Sequence, residues 1–241
     1  MNDPNRTTLP EAEADPSWTR VSRIAAEIDR RVSRLPDRHV PTLRALREEY
    51  TRKLSSEDPQ TIIELGLQLI RMYGHCFLAC ELIHYHPGAM AELEEEELQR
   101  LGRGMDFWDS VDRFGQYLAG PAWNRGNVDT ALVRKWARSP NRFWRRAALA
   151  SVLALNIKAR GGSGDTERTL AVCSEVVDDR DCLVIRALSR ALRSLVDHDK
   201  DAVRRFLREH GKRLASRVRR EVRNKIRTGV KEPRRRRRGR R

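Results

Sequence analysis

Apolar residues recur at intervals of three and four along nearly the whole chain, and no segment alternates β-branched with polar residues. This spacing places apolar side chains along one side of an α-helix, so the sequence predicts an all-α protein. The predicted helices cover residues 17–35, 40–54, 58–72, 75–86, 89–101, 106–119, 127–137, 140–158, 165–178, 182–196, 200–210 and 216–228.

The lengths of these helices and of the breaks between them predict the architecture. Helices of about three to five turns joined by short breaks favour antiparallel pairs stacked side by side, as in a HEAT-like helical-repeat solenoid. Such a stack has a concave groove, which the arginines of the C-terminal helices would make basic. We expect one domain at 17–228, a disordered leader at 1–16 and a disordered arginine-rich tail at 229–241.

Charge is divided unevenly along the chain. Residues 1–130 hold 16 lysines and arginines against 22 acids, whereas residues 131–241 hold 33 against 12. A field of that size favours a polyanion, such as DNA, RNA or an anionic membrane surface. The sequence has neither a run of about 18 apolar residues nor the layout of an export signal. We therefore expect a cytoplasmic protein outside the membrane, with its four cysteines reduced.

Arginines repeat on single faces of three C-terminal helices. They are Arg142, Arg145 and Arg146, then Arg186, Arg190 and Arg193, and finally Arg217, Arg220, Arg223 and Arg227. Cations at helical spacing can follow a phosphate backbone, because each contact releases a counterion. For any single arginine a solvated helical surface is the simpler interpretation. As a set with few acids between them, they predict a binding site for duplex DNA, since no RNA-binding aromatic motif is present.

One carboxylate stands beside a tryptophan in "MDFWDSVD", residues 105–112. The apolar stripe of this predicted helix consists of Phe107, Val111, Phe114 and Leu118. Trp108 and Asp112 share the face beside that stripe. A tryptophan at a partly covered boundary, next to acids early in a helix, would explain the pattern without any function. The alternative is a site for a positively charged group, which a carboxylate and an indole face both attract.

Cysteines and histidines cluster in "HCFLACELIHYH", residues 75–86, and could hold zinc. Cys76, Cys80 and His84 follow one another at intervals of four residues, so the third lies about 12 Å from the first along a straight helix. This separation favours small thiols packed on a buried helical face. We expect no metal ion and no other cofactor.

Three segments, in order, resemble motifs of the AlkD-like DNA alkylation repair family, whose members are HEAT-like-repeat DNA glycosylases. "FWDSVD" at 107–112 is similar to the family's W-D-x-V-D. "KWARSPNRFWRRAAL" at 135–149 is similar to K-W-x-x-S-x-N-x-W-x-x-R-A-A. "VIRALSRALRSL" at 184–195 stands where the family has I-x-K-A-I-G-W-x-L-R, and the resemblance covers roughly residues 55–228.

The resemblance implies roles for three residues. Asp112 stands at the family's catalytic aspartate, Trp108 at the aromatic residue one turn before it, and Arg146 at a basic residue of the DNA-binding groove. The implied reaction is hydrolysis of the N-glycosidic bond of a cationic N3- or N7-alkylated purine. Asp112 would stabilise positive charge on the sugar and position water, while Trp108 would pack against the deoxyribose.

The sequence departs from the family at two aromatic positions. Arg190 takes the place of the aromatic residue in the third motif, and Phe143, followed by Trp144, takes that of the tryptophan in the second. A guanidinium can hold a phosphate but repels a cationic base or sugar. Three hypotheses stay open: an alkylpurine glycosylase, a non-catalytic protein that binds distorted DNA, and a solenoid whose basic face binds an acidic protein. We expect a monomer.

Overall fold

The structure, a computed structural model, describes residues 16–233, with side chains from residue 20 onward. All regular secondary structure in this range is helical, which confirms the all-α prediction. The helices are α1 (Pro16–Ser33), α2 (Val40–Lys53), α3 (Pro59–Tyr73), α4 (Cys76–Tyr85), α5 (Glu95–Gly102), α6 (Trp108–Arg113), α7 (Gly120–Arg125), α8 (Thr130–Ala137), α9 (Arg142–Asn156), α10 (Thr166–Ser174), α11 (Cys182–Leu195), α12 (Lys200–Glu209) and α13 (Ser216–Thr228). None of these helices is long and apolar enough to cross a lipid bilayer.

The helices stack in two rows, as predicted for a helical-repeat solenoid. One row runs through α2, α4, α6, α9, α11 and α13, with each helix packed against its neighbours. The second row contains α1, α3 and α5, and α8 and α10 pack beside each other further along the chain. One hydrophobic cluster lies between the rows and extends from Val21 to Val222. Residues 1–15 of the expected leader at 1–16, and residues 234–241 of the expected tail at 229–241, lie outside the described residues.

Aspartate and asparagine side chains fix where several helices begin. Asp58 accepts hydrogen bonds from the amides of Gln60 and Thr61 at the start of α3, and Asp181 does the same at the start of α11. The predicted helix at 89–101 is wrong in its first half, because α5 begins only at Glu95. Phe107 was expected on an apolar stripe, but it precedes α6 in extended conformation and its side chain is 56% exposed.

The helix predicted at 106–119 begins at Trp108 and changes from α-helical to π-helical hydrogen bonding at Phe114. Phe114–Ala119 forms a π-helical turn that joins α6 to α7 without a break. Gly115 lies within this turn and Gly120 directly follows it, and a Cβ on Gly115 would lie 2.6 Å from the Ala150 Cβ of α9. The absence of these two side chains lets the segment approach the backbone of α9 closely. This approach brings the end of α6 next to α9, where the candidate site lies.

Candidate functional site

Trp108 and Asp112 lie one turn apart on α6 and line the same cavity. Trp108 is the first residue of the helix and its side chain is 46% exposed. Asp112 is only 8% exposed, although its carboxylate borders the cavity. Their spacing in the sequence predicts that both residues share one face, and the structure brings them together there.

Arg146 of α9 holds the Asp112 carboxylate from the opposite helix. Its Nε donates to Oδ1 at 2.8 Å and its Nη2 donates to Oδ2 at 2.9 Å, which makes the ion pair bidentate. The third donor, Nη1, reaches the carbonyl of Leu183 in the first turn of α11 at 2.7 Å. The guanidinium also lies 5.8 Å from the centre of the Trp108 ring. Arg146 therefore joins three helices and fixes the orientation of the carboxylate.

Arg190 of α11 approaches the same carboxylate with longer contacts. Its Nη1 lies 3.4 Å from Oδ2 of Asp112, and its Nη2 lies 3.3 Å from the side-chain oxygen of Gln116. Its side chain is 45% exposed, against 8% for that of Arg146. Burial lowers the pKa of Arg190 below its ordinary value, and the nearby Asp112 opposes that shift. Arg190 is thus a charged group held weakly at the rim of the site.

The cavity has a volume of about 320 Å³ and lies along α6, α9, α11 and α13. Apolar side chains form part of its lining, namely Leu149, Ala150, Leu153 and Ala187. Six cations line it, namely Arg146, Arg186, Arg190, Arg193, Arg217 and Lys231, against the two carboxylates Asp112 and Glu221. This excess of positive charge in a concave space attracts phosphate groups.

Glu221 of α13 is the second carboxylate of the cavity and is nearly fully buried. The hydroxyl of Ser189 donates to it at 2.6 Å, and Nε of Arg217 donates at 2.8 Å. Burial raises the pKa of Glu221, but these two partners outweigh it and hold the pKa below its ordinary value. Lys231 lies 3.5 Å from the same carboxylate. Glu221 therefore neutralises part of the charge of Arg217 and holds Lys231 at the cavity.

The ten arginines predicted to bind nucleic acid occupy three different places. Arg146, Arg186, Arg190, Arg193 and Arg217 line the cavity. Arg142 and Arg145 are paired with Asp181 and Asp179 on the turn before α11, at 3.4 and 2.6 Å, and do not line it.

The remaining three arginines, Arg220, Arg223 and Arg227, lie along a separate groove on α13. Arg217 lines the cavity instead, so the structure divides the predicted row between two places. At about 100° per residue, Arg220, Arg227 and Arg223 lie about 60°, 80° and 120° around α13 from Arg217.

Two polar residues of the site, Gln116 and Lys231, are not among the residues predicted from the sequence. Gln116 follows Asp112 by four residues, so its spacing was a usable signal. The sequence predicts Lys231 in the disordered tail, but it lines the cavity and its carbonyl accepts a hydrogen bond from Asn224.

Trp144, beside the altered position of the second motif, packs against Trp136 with ring centres 5.1 Å apart.

The cysteines and histidines of α4 do not surround a common position that a metal ion could occupy. The Cys76 and Cys80 sulfurs lie 3.7 Å apart, while the His84 ring bonds to the carbonyl of Tyr117. Between residues 20 and 233, no three histidine, cysteine or acidic side chains are grouped so that they could hold a metal ion.

A family model described as DNA alkylation repair enzyme matches residues 38–226, which is most of the chain. This span contains α6, α9 and α11, which carry Asp112, Arg146 and Arg190. Comparisons with curated proteins and with solved structures give no match.

Proposed function

Because the chain belongs to the DNA alkylation repair enzyme family, we propose that it binds duplex DNA at the cavity and hydrolyses the N-glycosidic bond of cationic alkylated purines. The observation that carries this proposal is the meeting of the Asp112 carboxylate and the exposed Trp108 indole in a cavity lined mainly by cations. Such a site offers one negative group for a cationic sugar and many positive groups for the phosphates around it.

The proposed reaction uses the charge that alkylation gives to the base. The C1′–N bond breaks and its electron pair moves to the base, which becomes neutral, so the base needs no strong general acid to leave. Water adds to C1′ and loses a proton. Positive charge develops on the sugar during this step, and a fixed carboxylate lowers the barrier most when its orientation is set beforehand. Arg146 sets that orientation for Asp112 through the bidentate pair.

The cations of the cavity would hold the DNA backbone. Arg186, Arg193 and Lys231 line the cavity without contacting Asp112, so a phosphate can reach them without disturbing the carboxylate. Arg190 differs, because its contact with Asp112 at 3.4 Å is long for a charged hydrogen bond. An arriving phosphate can attract Arg190 away from Asp112, which would open one oxygen of the carboxylate to the sugar.

The test is release of N7- and N3-alkylpurines from alkylated duplex DNA. We expect release by the unaltered protein and a fall of about 10²-fold or more with Asp112→Asn, the usual size for removing one fixed electrostatic group. Asp109→Asn is the matched control, because Asp109 lies on the same helix, has a side chain that is 43% exposed and pairs with Arg113 instead of Arg146. Absence of release above background, or equal release by Asp112→Asn in a folded state, contradicts the proposal.

A second candidate function is binding of distorted or branched DNA without excision. It is favoured by Arg190, which occupies the family's aromatic position and, with Arg146, occupies both oxygens of Asp112. Arg190→Trp separates the two candidates. If the positive charge of Arg190 limits catalysis, Arg190→Trp raises base release by about tenfold or more. The reason is that an indole attracts the cationic base or sugar, which a guanidinium repels.

Arg193→Trp is the control for that substitution, because Arg193 lines the cavity and has no contact with Asp112. An unaltered protein without base release, together with tighter binding to branched than to linear duplex, would favour the second candidate. Equal gains from the two tryptophan variants would show that the effect does not depend on position 190.

A further inference from the structure

A second basic surface lies on α12 and α13, apart from the cavity. Two grooves that share Arg219 and Arg223 form it. We call it the outer basic surface, and its unpaired cations are Arg208, Lys212, Arg219, Arg220, Arg223 and Arg227. No carboxylate lines either groove, whereas the cavity contains two.

Helical geometry separates this surface from the cavity. Arg217 and Glu221 line the cavity from one side of α13. Arg220, Arg223 and Arg227 are centred about 110° around the helix from that pair, at about 100° per residue. All three are exposed. A phosphate bound in the cavity therefore does not satisfy them.

The cations of the outer basic surface differ from other arginines of the protein in having no acidic partner. Arg134 and Arg138 both pair with Glu175, and Arg213 pairs with Asp178. None of the six cations forms an ion pair with a carboxylate of residues 20–233, and the nearby Arg204 pairs with Asp201 on its own helix. Cations left together without acids repel one another, which destabilises the surface unless an anion binds.

A polar surface on α13 would also keep the exposed side of this helix in water. Solubility, however, is served by interspersed charges of both signs, as on the turn before α11. The outer basic surface lacks acids, so exposure to water alone does not account for its composition.

We propose that the outer basic surface binds the phosphate backbone of a second segment of duplex DNA while the cavity holds the first. The proposal rests on the proposed function only in taking DNA as the partner, and it does not require base release. Six unpaired cations over two adjacent grooves match the repeated negative charge of a duplex backbone. The protein would then bridge two duplexes or two arms of one bent molecule.

The test is capture of a fluorescent duplex by protein that is already bound to an immobilised duplex. We expect capture by the full chain. With Arg220→Gln, Arg223→Gln and Arg227→Gln combined, we expect capture to fall by about tenfold or more, because each lost phosphate contact removes one counterion release. Binding of the first duplex and base release should remain, since these side chains lie outside the cavity. The matched control is Arg134→Gln with Arg138→Gln, two arginines whose side chains are 43% and 57% exposed and which pair with Glu175.

Several outcomes would overturn the proposal. Absence of capture by the unaltered protein does so directly. Undiminished capture by the triple variant would assign bridging to the seven arginines of 234–241 or to an oligomer with two cavities. If the unaltered protein binds anionic vesicles instead of a second duplex, and the triple variant does not, the outer basic surface binds a lipid surface and not DNA. If the unaltered protein captures the second duplex but releases no alkylated base, only the proposed reaction is contradicted. Failure of the bridging proposal and failure of the proposed reaction are therefore distinguishable.

Discussion

Asp112 and Arg146 form the most consequential contact at the scale of single residues. Both side chains are largely removed from water, and a buried ion pair is favourable only when its geometry and its other hydrogen bonds are nearly complete. The bidentate contact and the Leu183 carbonyl give each of the three guanidinium nitrogens one hydrogen bond. Removing the carboxylate leaves a buried cation, so Asp112→Asn should lower stability as well as activity, and thermal unfolding must accompany the activity assay.

The lowered pKa of His84 predicts that the stability of the folded protein depends on pH. Burial lowers its pKa, against the hydrogen bond to the Tyr117 carbonyl, and the cations Arg125 and Arg160 lower it further, while Glu81 raises it. The unfolded chain therefore takes up a proton more readily than the folded protein. The stability that neutral His84 contributes is present above pH of about 6.5 and is lost as the pH falls below it.

We expect His84→Asn, whose amide can donate the same hydrogen bond, to flatten the fall in stability between pH 7 and pH 5. Urea unfolding at a series of pH values measures this difference. The hypothesis is rejected if the variant and the unaltered protein lose stability in parallel over that range.

At the scale of elements, the close approach of the π-helical turn to α9 positions the site. α6 carries Asp112 and α9 carries Arg146, and the two helices meet where Gly115 lies against Ala147 and Ala150. The extra residue that a π-turn inserts changes which side chains face the neighbour, and such turns are frequent at functional sites. The register of α6 against α9 therefore sets the Asp112–Arg146 distance.

Gly115→Ala tests this packing. Alanine normally stabilises a helix relative to glycine. Here the added Cβ would lie 2.6 Å from the Ala150 Cβ and 2.9 Å from the Ala147 carbonyl oxygen, so we expect a loss of about 1–3 kcal/mol. Thermal unfolding measures the change. Ser110→Ala on the adjoining α6 removes a hydroxyl and is the control, and a stabilising effect of Gly115→Ala would contradict the argument.

At the scale of the whole molecule, salt dependence distinguishes a DNA-binding protein from one that binds an acidic protein. Six cations and two carboxylates line the cavity, which leaves about four positive charges to neutralise phosphates, so the logarithm of the association constant should fall against the logarithm of salt concentration with a slope of about −4. Fluorescence anisotropy with a labelled duplex measures it. Arg193→Gln should reduce the slope by about one.

Arg142→Gln is the control for that series, because Arg142 pairs with Asp181 and does not line the cavity. It should leave the slope unchanged. A slope near zero for the unaltered protein would favour an acidic protein partner, as the third hypothesis holds.

The sequence alone determined the helical class, most helix positions and the pairing of Trp108 with Asp112 on one face, because these follow from spacing within one helix. Only the tertiary structure decided which arginines reach Asp112, since Arg146 and Arg190 lie 34 and 78 positions away along the chain. It also separated the predicted arginines into the cavity, the acid-paired turn and the outer basic surface. The physical reason is that periodicity fixes relations within a helix, whereas contacts between helices depend on how each helix rotates and packs against the next.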